Sequence, residues 1–352
     1  MPEESFRLLI IWLEVAAGAL VLSSLCVSGF RRLAAERMLD IPNARSLHTQ
    51  PTPRGGGLGI VIGVLIGAWG LLMSRVLRMP LNEVVALSLG GSIVALVGWI
   101  DDSNRLPYRL RLVVQTISSA IILIMVGYFR AVTVPFVGNI QLQSIGILIA
   151  LLWMLGLTNA YNFMDGIDGI ASGQALIAGL TWAIIGYMSG EVFVGLIGVL
   201  LAGTSLGFLF HNWPPARIFM GDVGSAFIGF VLAVLPIIAG QEDSRIMVAG
   251  FLIVWPFIFD TSFTLVHRMI KKENIFEAHR SHVYQRLVIA GYTHRFVTLI
   301  YMGLALTGAI LAILWVKDSC GSDILVILIP ALLFFCLWRT TIRAEKRSHP
   351  AL

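Results

Sequence analysis

The stretch Asn159-Ala-Tyr-Asn-Phe-Met-Asp-Gly-Ile-Asp-Gly169 decides how this chain is read. It places Asn159, Asn162, Asp165 and Asp168 within ten residues, between two long apolar runs. Lipid solvates such groups poorly, so a polar cluster this dense in an apolar chain marks a function. An ordinary loop, turned by its glycines and capping the next helix, needs one Asp and not this ladder. Hard oxygen donors beside a helix start suit a divalent cation and a phosphate.

The rest of the chain explains why those flanks are apolar. Hydrophobic residues make up 57% of the 352, charged residues 13%, and the mean hydropathy is +0.85. That is the composition of a polytopic membrane protein. Runs long enough to span occur near 7–29, 56–74, 83–100, 110–128, 144–160, 170–188, 191–210, 223–239, 246–268, 296–316 and 322–339. The expected fold is therefore all-α, with about eleven transmembrane helices in one domain over 1–352. Segment 130–143 alternates apolar and polar residues around Gly138-Asn139, which predicts a small β-hairpin outside the membrane.

Charge orients the spans. With the N-terminus outside, 19 of the 25 Lys and Arg fall in inner segments, among them Arg31, Arg32, Arg54, Arg105, Arg109, Arg111, Arg217, Lys271 and Arg286. Only Arg7, Arg75, Arg78, Arg130, Arg245 and Lys317 lie outside, so the chain reads as N-out and C-in. The net charge of +5 follows from this asymmetry and does not indicate nucleic acid. The first span lacks a basic n-region and a cleavage site, and reads as an anchor. Cys26, Cys320 and Cys336 are too scattered for a disulfide framework.

The residues with chemical character all fall on the inner side. Ser46-Leu-His48-Thr-Gln-Pro-Thr-Pro-Arg54-Gly-Gly-Gly57 precedes the second span, and its glycines serve either as an anion cradle or as a hinge. Asp101-Asp102 ends the third span, where two carboxylates oppose the helix dipole. They read either as a general base of raised pKa or as partners of nearby arginines. Asp222 opens the eighth span, as a ligand or as a helix cap. The last inner loop carries His279-Arg280-Ser-His282-x-x-x-Arg286, better suited to phosphate than to zinc, for which no third ligand is spaced. Asp260 lies within the ninth span, catalytic or bonded to a neighbour such as His267.

Taken in order, these motifs resemble the polyprenyl-phosphate N-acetylhexosamine-1-phosphate transferases, which include the peptidoglycan translocase. The carriers are Pro-x-Pro-x-Gly-Gly-Gly at Arg54, Asp101-Asp102, the Asn159–Gly169 stretch, Asn212 with Phe219-Met-Gly-Asp222-x-Gly-Ser225, and the histidine loop. The resemblance implies that undecaprenyl phosphate attacks the β-phosphate of a UDP-N-acetylhexosamine and that UMP leaves. It implies Mg²⁺, or Mn²⁺ in its place, on Asp222, with Asn162 or Asp165 completing the site. Phe219 would stack on uracil, and Asp168, Asn212 and Asn159 would bind the donor. Arg111, Arg280 and His282 would meet the phosphates, and His48 and Arg54 would also bind substrate. Asp101 or Asp102 would deprotonate or position the lipid phosphate, with Asp165 and His282 completing the catalytic set.

Peptidoglycan translocases carry three successive histidines in the last inner loop, whereas here Tyr284 and Gln285 follow His282-Val283. This form resembles the enzymes that initiate O-antigen, and so implies an inner-membrane protein in lipopolysaccharide synthesis with a cytoplasm-facing site. GlcNAc-1-phosphate transfer for another cell-wall polymer is the alternative, and a homodimer is compatible with either. An anion or nucleotide-sugar carrier would place its polar groups near the midplane between repeated halves. Here they cluster at span ends on one side, with no repeat.

Overall fold

Apolar segments of this length become helices because lipid offers no partner for backbone N–H and C=O groups, and a helix satisfies both internally. The computed structural model describes residues 2–42, 47, 50–104, 106–274 and 279–348. The first half runs α1 (Pro2–Arg37), β1 (Leu39–Asp40), β2 (Thr52–Pro53), α2 (Leu58–Ser74), α3 (Leu81–Asn104) and α4 (Tyr108–Met125). Then follow β3 (Ala131–Val134), β4 (Gly138–Gln141), α5 (Ile145–Phe163), α6 (Ile170–Ser189) and α7 (Val192–Asn212). The chain ends with α8 (Asp222–Ala239), α9 (Ile246–Ile253), α10 (Trp255–Ile270), α11 (Val283–Ile289), α12 (His294–Val316) and α13 (Ser322–Ser348).

The protein is a nearly all-helical polytopic membrane protein. Every expected apolar run is helical, but they are not eleven equal spans. Among the described residues nine helices are long and apolar enough to cross, or ten if α9 and α10 count as one broken span. The second run, α2, is 17 residues long, at the short end of what crosses a bilayer. The ninth is not straight: α9 and α10 meet at 75°. Pro256 sits in the first turn of α10, where its missing N–H breaks no intrahelical bond, so the helix restarts there in a new direction.

Helices α7 and α8 form the centre, with 89% and 94% of their apolar windows buried, while α1 lies at the periphery with 11%. That order decides where the site can be: the N-terminus of α8 opens from the middle of the bundle. Strands β3 and β4 pair antiparallel, Thr133 opposite Asn139 and Val134 opposite Gly138. The hairpin turns at Pro135-Phe136-Val137 and not at Gly138-Asn139 as the alternation suggests, with Gly138 (φ 86°) already inside the strand. Side chains of Thr133 and Asn139 hold the ribbon to Ser244 Oγ, at 2.7 and 2.8 Å.

Candidate active site

Five chain segments from one end of the bundle meet around Asp222. Arg54 enters from the loop before α2, Asp101 and Asp102 from the end of α3, Arg111 from the first turn of α4, and Asn162 from the end of α5. Arg54 Nη2 donates to Asp222 Oδ1 at 2.6 Å while its Nε lies 2.8 Å from Asp102 Oδ1. Arg111 Nη1 bridges Asp101 Oδ2 (2.9 Å) and Asp222 Oδ2 (3.3 Å). Asn162 Nδ2 donates to Asp222 Oδ2 at 3.1 Å, and its Oδ1 accepts from Ser225 Oγ at 3.3 Å. Burial alone would weaken the Arg54 charge, but Asp222 and Asp102 outweigh it and raise the pKa, so the guanidinium stays charged.

The two alternatives for Asp222 separate cleanly. The start of α8 is capped from another helix: Asp102 accepts the N–H groups of Asp222 (2.8 Å) and Val223 (3.1 Å). Gly221 is required there, because a Cβ would fall 2.4 Å from Asp102 Oδ2. Asp222 itself therefore caps nothing, and its carboxylate is free to face Arg54, Arg111 and Asn162. The Asp102 side chain has no solvent exposure, and its oxygens accept two backbone N–H groups and face Arg54, so it holds the start of α8 against the loop of Arg54. Asp101 pairs with Arg111 and accepts from the Leu106 N–H. Both residues thus pair with arginines.

Two of the three glycines before α2 spend their N–H groups on a neighbouring loop. Gly56 and Gly57 donate their N–H groups to Phe219 O and Met220 O, both at 2.9 Å, and Phe219 N donates back to Pro53 O at 2.8 Å. The loops are thereby zipped together, and a Cβ on Gly57 would lie 2.4 Å from the Gly224 Cα. Absent side chains let the starts of α2 and α8 touch and so bring Arg54 to Asp222.

Asp165 differs from the other carboxylates. It lies in the turn between α5 and α6, partly open to solvent, with no side-chain hydrogen bond or ion pair among the described residues. Burial first, and then Asp222, Asp102 and Asp168, push its carboxyl well above the ordinary range, with Arg54 pulling the other way. Asp168 accepts from the Ala216 N–H (3.0 Å) and faces His294 Nδ1 (3.4 Å).

Asn212 is buried under this turn, with Oδ1 taking the Gly169 N–H (2.8 Å) and Nδ2 donating to Ile218 O (2.9 Å). It shapes the loop. Asn159 forms an amide pair with Gln115 of α4 (2.6 Å). Phe219 is half-buried on the loop that the glycines grip.

The histidine loop is partly inside this picture. His48 lies outside the described residues. Arg280 is exposed and His282 buried. Arg286 is not a phosphate contact here, because Glu345 of α13 holds it through two bonds of 2.7 Å. Burial above all lowers the His279 pKa to about 4, which leaves that ring neutral at pH 7. Asp260 bonds His282 and not His267, whose ring stacks on Phe263. Gln115 and His294 escaped the sequence reading; Gln115, a lone amide in an apolar run, carried a usable signal.

Comparison with known proteins agrees with the geometry. The profile of glycosyl transferase family 4 matches residues 84–240. A probable undecaprenyl-phosphate N-acetylglucosaminyl 1-phosphate transferase of Bacillus subtilis (strain 168) is 32% identical over 266 residues, covering 74% of this chain and 73% of the relative. A decaprenyl-phosphate N-acetylglucosaminephosphotransferase of Mycobacterium leprae (strain TN) is 31% identical over 316 residues, covering 81% and 79%. A phospho-N-acetylmuramoyl-pentapeptide-transferase of Lacticaseibacillus paracasei is 31% identical over 235 residues, covering 62% and 72%.

Proposed function

The chain belongs to glycosyl transferase family 4, and from that premise we propose that it moves an N-acetylhexosamine 1-phosphate from a UDP-sugar to undecaprenyl phosphate. A phosphate oxygen of the lipid forms a bond to the β-phosphorus, the bond from that phosphorus to the bridging oxygen breaks, and UMP departs with the oxygen. One observation carries this reading: Asp222 is held between Arg54 and Arg111, while Asp165 has no side-chain hydrogen bond or ion pair among the described residues. Such a cluster offers cations for a pyrophosphate and a spare carboxylate for a metal or a proton.

Among the described residues no three His, Cys, Asp or Glu groups converge as a metal cluster. Asp165, Asp222 and Asn162 nonetheless carry hard oxygens of the kind a divalent cation takes, and the raised pKa of Asp165 favours positive charge beside it. These three residues would hold Mg²⁺, or Mn²⁺ in its place, which when bound neutralises charge on the transferred phosphoryl group. Arg54 and Arg111 bind the phosphates and orient the β-phosphorus toward the lipid. Phe219 and Asp168 receive the uridine end, and Arg280 closes over the donor from the histidine loop.

Within this class the His279-Arg280-Ser-His282-Val-Tyr284-Gln285 form supports initiation of an O-antigen glycan at the inner membrane, with the site facing the cytoplasm. The relatives named for N-acetylglucosamine in Bacillus subtilis and Mycobacterium leprae favour a second reading, GlcNAc-1-phosphate transfer for another cell-wall polymer. Mass spectrometry of lipids formed by purified protein from undecaprenyl phosphate, Mg²⁺ and a panel of UDP-N-acetylhexosamines separates the two. Release of UMP in step with a lipid-pyrophosphate sugar is the expected result. Release of UDP with a lipid-monophosphate sugar would overturn the reaction class.

A further inference from the structure

Asp260 is a carboxylate with no solvent exposure, in the second arm of the broken helix pair, and no step above uses it. A buried carboxylate requires hydrogen-bond donors, and this one has five. Oδ1 accepts from the Val283 N–H (2.8 Å), Thr264 Oγ1 (3.3 Å) and His282 Nδ1 (3.3 Å). Oδ2 accepts from the Tyr284 N–H (3.1 Å) and the Tyr301 hydroxyl. The two backbone groups are the first N–H groups of α11, so Asp260 caps that helix from across the bundle. The cap is docked on the signature stretch itself, since Tyr284 Oη donates to Phe163 O at 3.0 Å.

We propose that Asp260 is a positioning residue that fixes His282 in its Nδ1–H tautomer and leaves Nε2 as the nitrogen available to substrate. The logic is that of donor counting. An ionised carboxylate only accepts, so the ring nitrogen facing it carries the hydrogen. Nε2 has no hydrogen-bond partner among the described residues. The His282 ring lies 6.4 Å from Phe163 and 5.0 Å from His279, between the signature stretch and the loop that carries Arg280. Fixing both the start of α11 and the tautomer sets which histidine atom reaches a phosphate. An amide at position 260 cannot do this, because its NH₂ group would face a donor whichever way it turned.

The role in turnover rests on the transferase reading, whereas the tautomer does not, so the two fail separately. Two-bond ¹H–¹⁵N correlation of histidine-labelled protein reads the tautomer directly, with His282→Gln identifying the signal among the seven histidines. The wild type is expected to show Nδ1–H, and Asp260→Asn to lose it. In turnover, Asp260→Asn is expected to lower kcat about 100-fold, in the range of one proton-handling group, with the UDP-sugar KM nearly unchanged. Tyr301→Phe removes one donor to Asp260 without touching His282 and is expected to lower Tm while keeping kcat. An Nε2–H tautomer in the wild type would overturn the proposal, and that spectrum needs no variant at position 260 to fold. So would a Tyr301→Phe enzyme as slow as Asp260→Asn, because Asp260 would then be a structural strut only.

Discussion

Arg54 and Asp222 meet at 2.6 Å although 168 residues separate them in the chain. The contact exists because Gly56 and Gly57 bond the loop of Arg54 to the loop of Phe219 and Met220. Arg54 also holds Asp102, so one guanidinium neutralises two carboxylates that are otherwise crowded. A lysine brings a compact point charge without the planar fork whose Nε and Nη2 reach the two carboxylates separately. Arg54→Lys is expected to keep the fold and lose most activity. Arg54→Gln should also lose about 1–3 kcal/mol of stability, the cost of leaving buried charge short of a partner. Thermal unfolding and turnover of the two variants check this; equal activity of Arg54→Lys and the wild type would remove the bridge from the mechanism.

Asp222→Asn is the sharper test of the metal site. Asparagine keeps the shape, and α8 retains its cap because Asp102 supplies it. The variant should fold, yet lose several kcal/mol of charge neutralisation, on the order of a thousandfold in rate or more. EDTA should silence the wild type, and Mg²⁺ or Mn²⁺ should restore it. Turnover of Asp222→Asn near the wild-type level would exclude Asp222 as a ligand.

Much of this was legible in the sequence, and the rest was hidden for identifiable reasons. Apolar length reported the helices, and Lys and Arg reported a common face. The 75° break between α9 and α10 was signalled by Pro256, but a hydropathy window cannot tell a bend from a straight span. Asp102 and Asn212 stand in ligand motifs yet are spent on backbone N–H groups or carbonyls. Polar identity alone does not say which polar residues face the ligand and which hold up the ones that do. The pairing of Arg286 with Glu345 joins distant segments, and no local pattern encodes it.

Asp165 carries a stability prediction of opposite sign to that for Arg54. An acid whose folded pKa is raised holds its proton longer in the folded state, so folding binds protons and stability falls as pH rises. The window opens near the ordinary carboxylate value of about 3.9 and extends up to the raised value of Asp165. In EDTA the wild-type Tm should therefore drop across that window. Asp165→Asn should flatten the slope, raise Tm at pH 7 and abolish activity, as expected where a site holds an unpaired charge for function. A variant less stable than the wild type at every pH would mean that Asp165 has a structural partner.

Phe219 tests the orientation of the donor. If its ring stacks on uracil, Phe219→Ala should raise the UDP-sugar KM by the equivalent of about 1–3 kcal/mol and leave the lipid KM nearly unchanged. Its backbone bonds to Pro53 and Gly56 do not depend on the side chain, so the loop should persist. Equal increases in both KM values would point to a collapsed loop instead of a lost base contact.

The sidedness of the membrane is the condition on which the donor depends. UDP-sugars are made in the cytoplasm, so a site facing outward would have no supply. The expectation that the Asp222 end lies inside rests on the count of 19 inner and 6 outer cations. Cysteine probes can test this once Cys26, Cys320 and Cys336 are replaced, because Cys320 is exposed at the other end and would label by itself. Ser103, exposed at the end of α3, is the inner reporter, and Val137, 68% exposed at the hairpin tip, the outer one. Ser244 is a poor outer probe, since Thr133 and Asn139 both bond its hydroxyl. An impermeant thiol reagent on intact cells should label Val137→Cys and spare Ser103→Cys until the membrane is opened. The reverse pattern would strip the transferase of its nucleotide sugar and return the carrier reading to the front.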